Sequence, residues 1–280
     1  MILVCGEWGL RELEMENHFR FCKKFGFRLM EIGVGGVIGQ LKPTISDREI
    51  HDFNRMRHRY GIQTPYCLLE NDFTLADERE HQRQMKTTIK QLYLSKQLEA
   101  KMVRLFSGFT PASQITKAIW NRMLSALNVC LDLCRDLDLA ITVETHGQMT
   151  ITDGIYYHAH TISTHRDWLK RFLDETPEEI GICYDPANII ALEQGDRFCA
   201  LDVVRDRINY VHLKDWLRSG KGWSPASLGN ATMDYETLLP RIAEVYNGPY
   251  CIEYEATEDV EDGFRRCIDY LKSTGQKVEF

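Results

Sequence analysis

The chain has 280 residues, 44% of them hydrophobic, and its 34 Lys and Arg are outnumbered by 41 Asp and Glu for a formal net charge of −7. That acidic balance, with no sustained basic stretch, excludes a phosphate-tracking nucleic-acid surface, and no run reaches the roughly 18 apolar residues of a membrane span. The nine cysteines are odd in number and mostly sit inside apolar runs, which reads as small hydrophobes in a reduced, cytoplasmic setting.

Apolar runs alternate with amphipathic stretches from one end to the other, the βαβα rhythm of a parallel sheet wrapped by helices. A strand at 2–5 (ILVC) leads to helical spacing over 10–25, and a strand at 28–32 (RLMEI) precedes a helix over 46–59. Between these two, GVGGVIG at 33–39 lacks the third Gly of a dinucleotide fingerprint, Ile38 standing in its place, and reads as a βα loop. Ser46 with Glu49 three residues on has the form of a capping box. Strand 62–67 is followed by helix 77–99, strand 102–106 by helix 113–136, and strand 139–144 by a long loop over 145–158 and helix 159–175. Strand 180–184 runs into a helix around 189–205 interrupted by Gly195, and strand 208–212 comes next. Strand 250–254 is followed by a last helix over 259–273, opened by Thr257 to Asp259. Eight strands are the number at which a parallel sheet closes. With no linker or low-complexity segment, residues 1–280 are expected to form one α/β domain, a (β/α)8 TIM barrel.

Four of the later strands end on a polar group: ITVETH supplies Glu144, IGICYDPAN supplies Asp185, INYVHLKD supplies His212 and YCIEYE supplies Glu253. They fall 41, 27 and 41 residues apart, about one βα unit each, so they belong to strands five to eight. Strand C-termini of a parallel barrel converge on one face, where active sites lie. Three carboxylates brought together there repel one another, and a bound dication is the simplest compensation. A single strand-end polar residue is more often a cap or the ion-pair partner of a neighbour such as Lys214 or Arg218; three carboxylates and a histidine at four consecutive strand ends point to function. Three oxygen donors and one imidazole suit one divalent ion, Mn²⁺ foremost, with Mg²⁺, Co²⁺ and Zn²⁺ as alternatives.

On the stretches VETHG, CYDPAN, YVHLKD, SLG and YCIEYE, the whole chain resembles the xylose isomerase-like barrel superfamily, in particular its sugar (phosphate) isomerases and epimerases. The resemblance implies that Glu144, Asp185, His212 and Glu253 hold the metal. Glu255 competes with Glu253, since the two lie on the same side of the strand. It also implies a small keto-sugar substrate whose C–H beside the carbonyl is acidified by the ion, and an enediolate reached through Glu144 and Glu253 as the acid/base pair. Candidate substrate contacts are His146, Asn188, Lys214, Arg218 and Trp8. Lys214 and Asp215 could equally brace the loop as a salt bridge. Phe106, Trp216 and Trp223 near strand ends could stack on a sugar face. A lyase acting on a keto-polyol or 3-keto-glycoside would use the same site, and a non-catalytic sugar-binding barrel is the alternative from another class. A homo-oligomer is left open.

Departures from the family pattern narrow this. Asn230 of SLGNATMD stands where relatives often have a Glu, and the third and fourth strand ends, TPYCLL and VRLFSG, carry none of the His that the trinuclear zinc endonucleases of this fold use. His158, His160 and His165 in YYHAHTISTH read as a solvated loop leading into a helix.

Overall fold

All eight predicted strands form, and in a computed structural model that describes residues 1–35, 41–193 and 195–280 they close as a parallel barrel. In chain order the strands are β1 (Leu3–Cys5), β2 (Leu29–Val34), β3 (Gln63–Leu69), β4 (Met102–Leu105), β5 (Ala140–Glu144), β6 (Gln148–Thr152), β7 (Ile155–Ala159), β8 (Ile180–Tyr184), β9 (Ile208–Leu213), β10 (Asp215–Ser219), β11 (Gly222–Ala226) and β12 (Tyr250–Ile252). The barrel runs β1-β2-β3-β4-β5-β8-β9-β12 and closes where Val4 of β1 registers with Cys251 of β12.

Around it lie α1 (Met15–Phe25), α2 (Asp47–Tyr60), α3 (Glu78–Gln97), α4 (Lys117–Leu137), α5 (Arg166–Glu175), α6 (Pro186–Ile190), α7 (Leu201–Val204), α8 (Tyr235–Ala243) and α9 (Val260–Ser273). The capping box at Ser46 is present in full. Asp259 precedes α9 without capping it, because its carboxylate is taken by Arg266 at 2.6 Å and by the Tyr254 hydroxyl at 2.6 Å. The predicted helix over 10–25 begins only at Met15, behind a 3-10 turn at Trp8–Leu10. The stretch around 189–205 holds two short helices instead of one. Residues 36–39 of the glycine-rich stretch lie outside the described residues.

Side-chain alternation splits the core into two layers. Facing outward, strand residues such as Leu3, Cys5, Met30 and Ile32 pack with helix residues such as Phe19, Trp120, Phe172 and Phe264 in the space between strands and helices. Facing inward, Val4, Cys183, Tyr210 and Cys251 plug the lumen with Leu29, Tyr66 and Met102, the Tyr66 and Tyr210 rings stacked at 4.5 Å. Inward parity continues toward the open end of the barrel: two residues above this floor stand Glu31, Arg104, Asp185, His212 and Glu253, so one period-2 pattern builds both the plug and the site.

Two departures from the sequence reading lie just past β5 and β9. Residues 145–158 are not one long loop. β6 and β7 form a hairpin whose turn, Asp153-Gly154, has φ of 50° and 74°, the left-handed pair that a tight two-residue hairpin turn requires. β10 and β11 make a second hairpin just past His212, and the two join into a four-stranded antiparallel sheet. Helix α8 lies where none was predicted; Pro240 inside it breaks the expected pattern, although Asp234 caps its first turn by accepting from the Thr237 amide at 3.1 Å. Among the described residues no helix is long and apolar enough to cross a membrane.

Candidate metal centre

Glu144 is the last residue of β5, Asp185 follows β8, His212 is the penultimate residue of β9 and Glu253 follows β12. All four are buried, and each offers one ligand atom within 4.8 Å of the others. The local sequence explains the convergence. Asp185 precedes Pro186, and its Oδ1 caps α6 by accepting from the amides of Ala187 and Asn188 at 3.0 and 3.2 Å, which leaves Oδ2 for the site. Thr145 clasps the ends of β5 and β8, its hydroxyl donating to the Asp185 carbonyl at 3.1 Å and accepting the Asp185 amide at 2.8 Å.

Charges around the four are arranged in pairs. Lys214 Nζ lies 3.1 Å from Asp185 Oδ2, 2.8 Å from Glu253 Oε2 and 3.0 Å from Glu255 Oε1. Arg104 Nε lies 3.0 Å from Glu144 Oε2 and its guanidinium stacks on Phe106 at 3.9 Å. That ion pair is close but the N–H is not aimed at the oxygen, so Arg104 Nε and Nη1 and Glu144 Oε2 all keep unused hydrogen-bonding capacity. Burial pushes the Glu144 carboxyl up to about 7 against the pull of Arg104 and His212. Burial acts on Glu253 in the same direction, but Lys214 and His212 hold it well below the usual carboxylate range.

Whether the site fits a dication can be read from its orphaned atoms. Glu144 Oε2 and His212 Nδ1 are buried with no hydrogen-bond partner, and Nδ1 lies 3.4 Å from Glu253 Oε2 and 3.9 Å from Glu144 Oε1. A buried polar atom without a partner is costly, and hard oxygen and imidazole donors in this number are what a divalent ion takes. The residues fit the group.

The centre opens into a cavity of about 370 Å³ lined by Glu144, Glu253, Glu255, Lys214, His146, Arg104 and Glu70 on its polar side and by Trp8, Leu68, Phe106, Phe109 and Met149 on its apolar side. Of the expected substrate contacts, Trp8, His146 and Lys214 reach this cavity, as does Phe106. His146 is fixed by its Nδ1 donating to the Gly147 carbonyl at 2.6 Å and by its amide donating to Ser163 at 3.1 Å; burial, and then Lys214, hold its imidazole well below the usual histidine range. Asn188 sits behind the ligands, its amide nitrogen 3.2 Å from Glu144 Oε1 and 3.1 Å from Asp185 Oδ2, where it orients carboxylates. Arg218 is carried away by the β10–β11 hairpin, exposed and stacked on Trp223 at 4.8 Å. Trp216 and Trp223 are buried in the four-stranded antiparallel sheet, Trp216 against Tyr156 and His158. Asp215 does not pair with Lys214; it accepts the amides of Trp216, Thr232 and Met233 at 2.9, 3.0 and 3.0 Å and braces the loop. His158 lies on β7, half-buried, and His160 and His165 pack on each other; none of the three joins a metal-ligating group among the described residues.

Sequence reasoning missed Glu31, Glu70 and Arg104. Glu31 and Arg104 left a signal: RLMEI and MVRLF each carry one charge inside an apolar strand, in the parity that faces the lumen.

Residues 19–274 match the family model described as xylose isomerase-like TIM barrel. A search of curated protein sequences finds no match. Among solved structures, the chain is similar to the IolI protein with a bound zinc atom at 15% identity and a TM-score of 0.78, covering 98% of each chain. It is similar to 3-keto-D-glucoside 4-epimerase from E. coli at 14% identity and a TM-score of 0.72, over 97% of this chain and 98% of that one. It is also similar to the probable 3-DHS dehydratase AsbF from Bacillus anthracis at 13% identity and a TM-score of 0.75, over 97% of this chain and 99% of that one. At these identities the likeness establishes the fold.

Proposed function

The chain belongs to the xylose isomerase-like TIM barrel family, and from that premise we propose that it is a divalent-metal-dependent enzyme moving a proton at the carbon beside a keto-sugar carbonyl, an isomerase or epimerase. The observation that carries this reading is the convergence of Glu144, Asp185, His212 and Glu253 within 4.8 Å, with Glu144 and Glu253 lining an open cavity. These four would hold the ion, Mn²⁺ foremost, which when bound acts as a Lewis acid on the carbonyl oxygen and so acidifies the adjacent C–H.

The protein's own groups then do the proton work. Glu144 and Glu253 enter the cavity from β5 and β12, with β8 and β9 between them in the barrel. A substrate seated there has a carboxylate to either side, one to take a proton and one to return it. Trp8, Phe106 and Phe109 supply an apolar surface for a sugar ring face, and His146, Lys214 and Glu70 supply polar contacts for hydroxyls. An epimerase and a dehydratase with this barrel support chemistry of this class. β-Elimination begins with the same proton abstraction and needs in addition an acid at the leaving oxygen. Lys214, an ammonium on the cavity wall, supports that second reading.

The test is incubation of the Mn²⁺-loaded protein with a panel of ketohexoses and 3-keto-glycosides in D₂O. One deuterium gained at the carbon beside the carbonyl, with no other change of mass, identifies an isomerase or epimerase; loss of water or aglycone identifies the lyase. Glu144→Gln and Glu253→Gln should each slow exchange roughly 10²–10⁴-fold. A metal-loaded protein that binds keto-sugars without exchanging any proton overturns the enzymatic reading in favour of a binding barrel.

A further inference from the structure

Glu31 is an acidic residue in the middle of a barrel strand, fully buried, and a carboxylate so placed is costly unless it is paired. Its partner is His212. Glu31 Oε2 lies 3.0 Å from His212 Nε2, and the other oxygen, Oε1, accepts from the Cys251 thiol at 3.7 Å. The contact crosses the lumen, since β1 and β12 separate β2 from β9 in the barrel. Both side chains are fully shielded from water, so no solvent competes for either ring nitrogen.

Resting on the metal site proposed above, we infer that Glu31 is a positioning residue that fixes the tautomer and ring orientation of His212. A neutral imidazole carries one N–H. With Nε2 facing a carboxylate, the proton sits on Nε2 and is donated to Glu31, so Nδ1 is left as the lone-pair nitrogen. Nδ1 is the atom that faces Glu144 and Glu253 and has no hydrogen-bond partner. Glu31 thereby selects which nitrogen is offered to the ion and holds the ring so that the offer points into the carboxylate cluster. Carboxylates behind ligating histidines act in this way on the basicity and aim of the ring. His212 and Glu31 also form, with Cys251, a second group of closely spaced donors; as a positioning residue Glu31 does not ligate, and the centre holds one ion.

Glu31→Leu and Glu31→Gln test this, the first removing the acceptor and the second keeping an acceptor oxygen in the same volume. Thermal melts of the metal-free proteins establish folding. Zn²⁺ and Mn²⁺ affinity is measured by chelator competition, and the tautomer by two-bond ¹H–¹⁵N spectra of histidine-labelled protein, with His212→Gln assigning the signal. In wild type, His212 should show a protonated Nε2 and a slowly exchanging N–H in both metal-free and Zn²⁺-loaded protein, with one ion per chain. Glu31→Leu should lose that signal and weaken metal binding roughly 10–100-fold, and Glu31→Gln should keep the tautomer and lose less. Wild-type tautomer and affinity in Glu31→Leu overturn the inference, as does a second ion per wild-type chain that disappears with Glu31. Should Glu31→Leu fail to fold, wild type and Glu31→Gln decide: a His212 with Nδ1 protonated and Nε2 bare in either overturns the inference. A wild-type protein that takes up no ion defeats the metal-dependent reading, while the spectra of the metal-free forms still decide the role of Glu31.

Discussion

The two halves of the barrel do different work at the same open end. Strands β5, β8, β9 and β12 deliver Glu144, Asp185, His212 and Glu253, the donors that converge within 4.8 Å. Strands β2 to β4 and the turn after β1 deliver Glu31, Leu68, Arg104 with Phe106, and Trp8: a carboxylate behind the histidine, a counter-charge on Glu144 and one wall of the cavity. The contrast teaches how a barrel keeps an acidic centre foldable. Repulsion among the carboxylates is offset by Lys214, which follows β9 in the donor half itself, and by Arg104 on β4, the strand beside β5, while Glu31 faces the histidine from across the lumen.

The comparison breaks most visibly on the donor side. The double variant Asp185→Ala/His212→Ala should retain no Mn²⁺ after gel filtration, by mass-spectrometric metal analysis, while wild type retains about one ion per chain, as expected for a mononuclear set of four donors. Its circular dichroism should stay that of the barrel while its melting midpoint falls, because the change leaves Glu31 and Lys214 each short of a buried partner. Retention of an ion by the double variant would place the metal elsewhere.

On the supporting side the largest effect should be on stability. Arg104→Ala leaves the buried Glu144 without its cation, and removing one member of a buried pair costs about 3–5 kcal/mol. Urea unfolding of the metal-free protein should show that loss, and saturating Mn²⁺ should recover a large part of it by supplying positive charge to the same carboxylate. A loss of equal size with and without metal would mean that Arg104 acts through packing on Phe106 alone. Gly108→Ala should cost less. Gly108 has φ of 140°, and an added Cβ would lie 2.2 Å from Thr74 Oγ1 and 2.7 Å from the Thr74 amide nitrogen. Holding a side chain in such a conformation costs of order 1–3 kcal/mol. The loops after β3 and β4 meet there, so the variant should melt earlier with metal affinity unchanged.

This division also explains what the sequence disclosed. The donor half was legible because each donor closes an apolar run, a pattern with few structural explanations, and the eight strands were legible because buried parallel strands read as short apolar blocks. Glu31 and Arg104 lie inside their runs, where a charge looks like an interruption until lumen parity is applied to all eight strands at once. Glu253 and Glu255 share that parity, and sequence alone could not rank them; in the fold both pair with Lys214, at 2.8 and 3.0 Å, but Glu253 is the one that joins the donor group. The two hairpins were hidden for another reason. QMTIT and IYYHA alternate around Asp153-Gly154, a hairpin signature, but the expectation of a helix after every strand drew the histidine-rich segment into a loop and helix.

The smallest expected effect tests the edge of the site. Family resemblance implies that Arg218 contacts substrate, whereas the fold puts it on the outer part of the β10–β11 hairpin, with its Nε donating to the Gly220 carbonyl at 3.2 Å and its guanidinium over Trp223. An exposed cation–π contact contributes about 0.5–1 kcal/mol. Arg218→Ala should therefore lower stability by no more than that and leave metal affinity and deuterium exchange into keto-sugars unchanged. A clear rise in KM at constant kcat would show that the hairpin folds over the cavity when substrate is present. The donor half would then carry its own lid, because the hairpin continues directly from β9, the strand that holds His212.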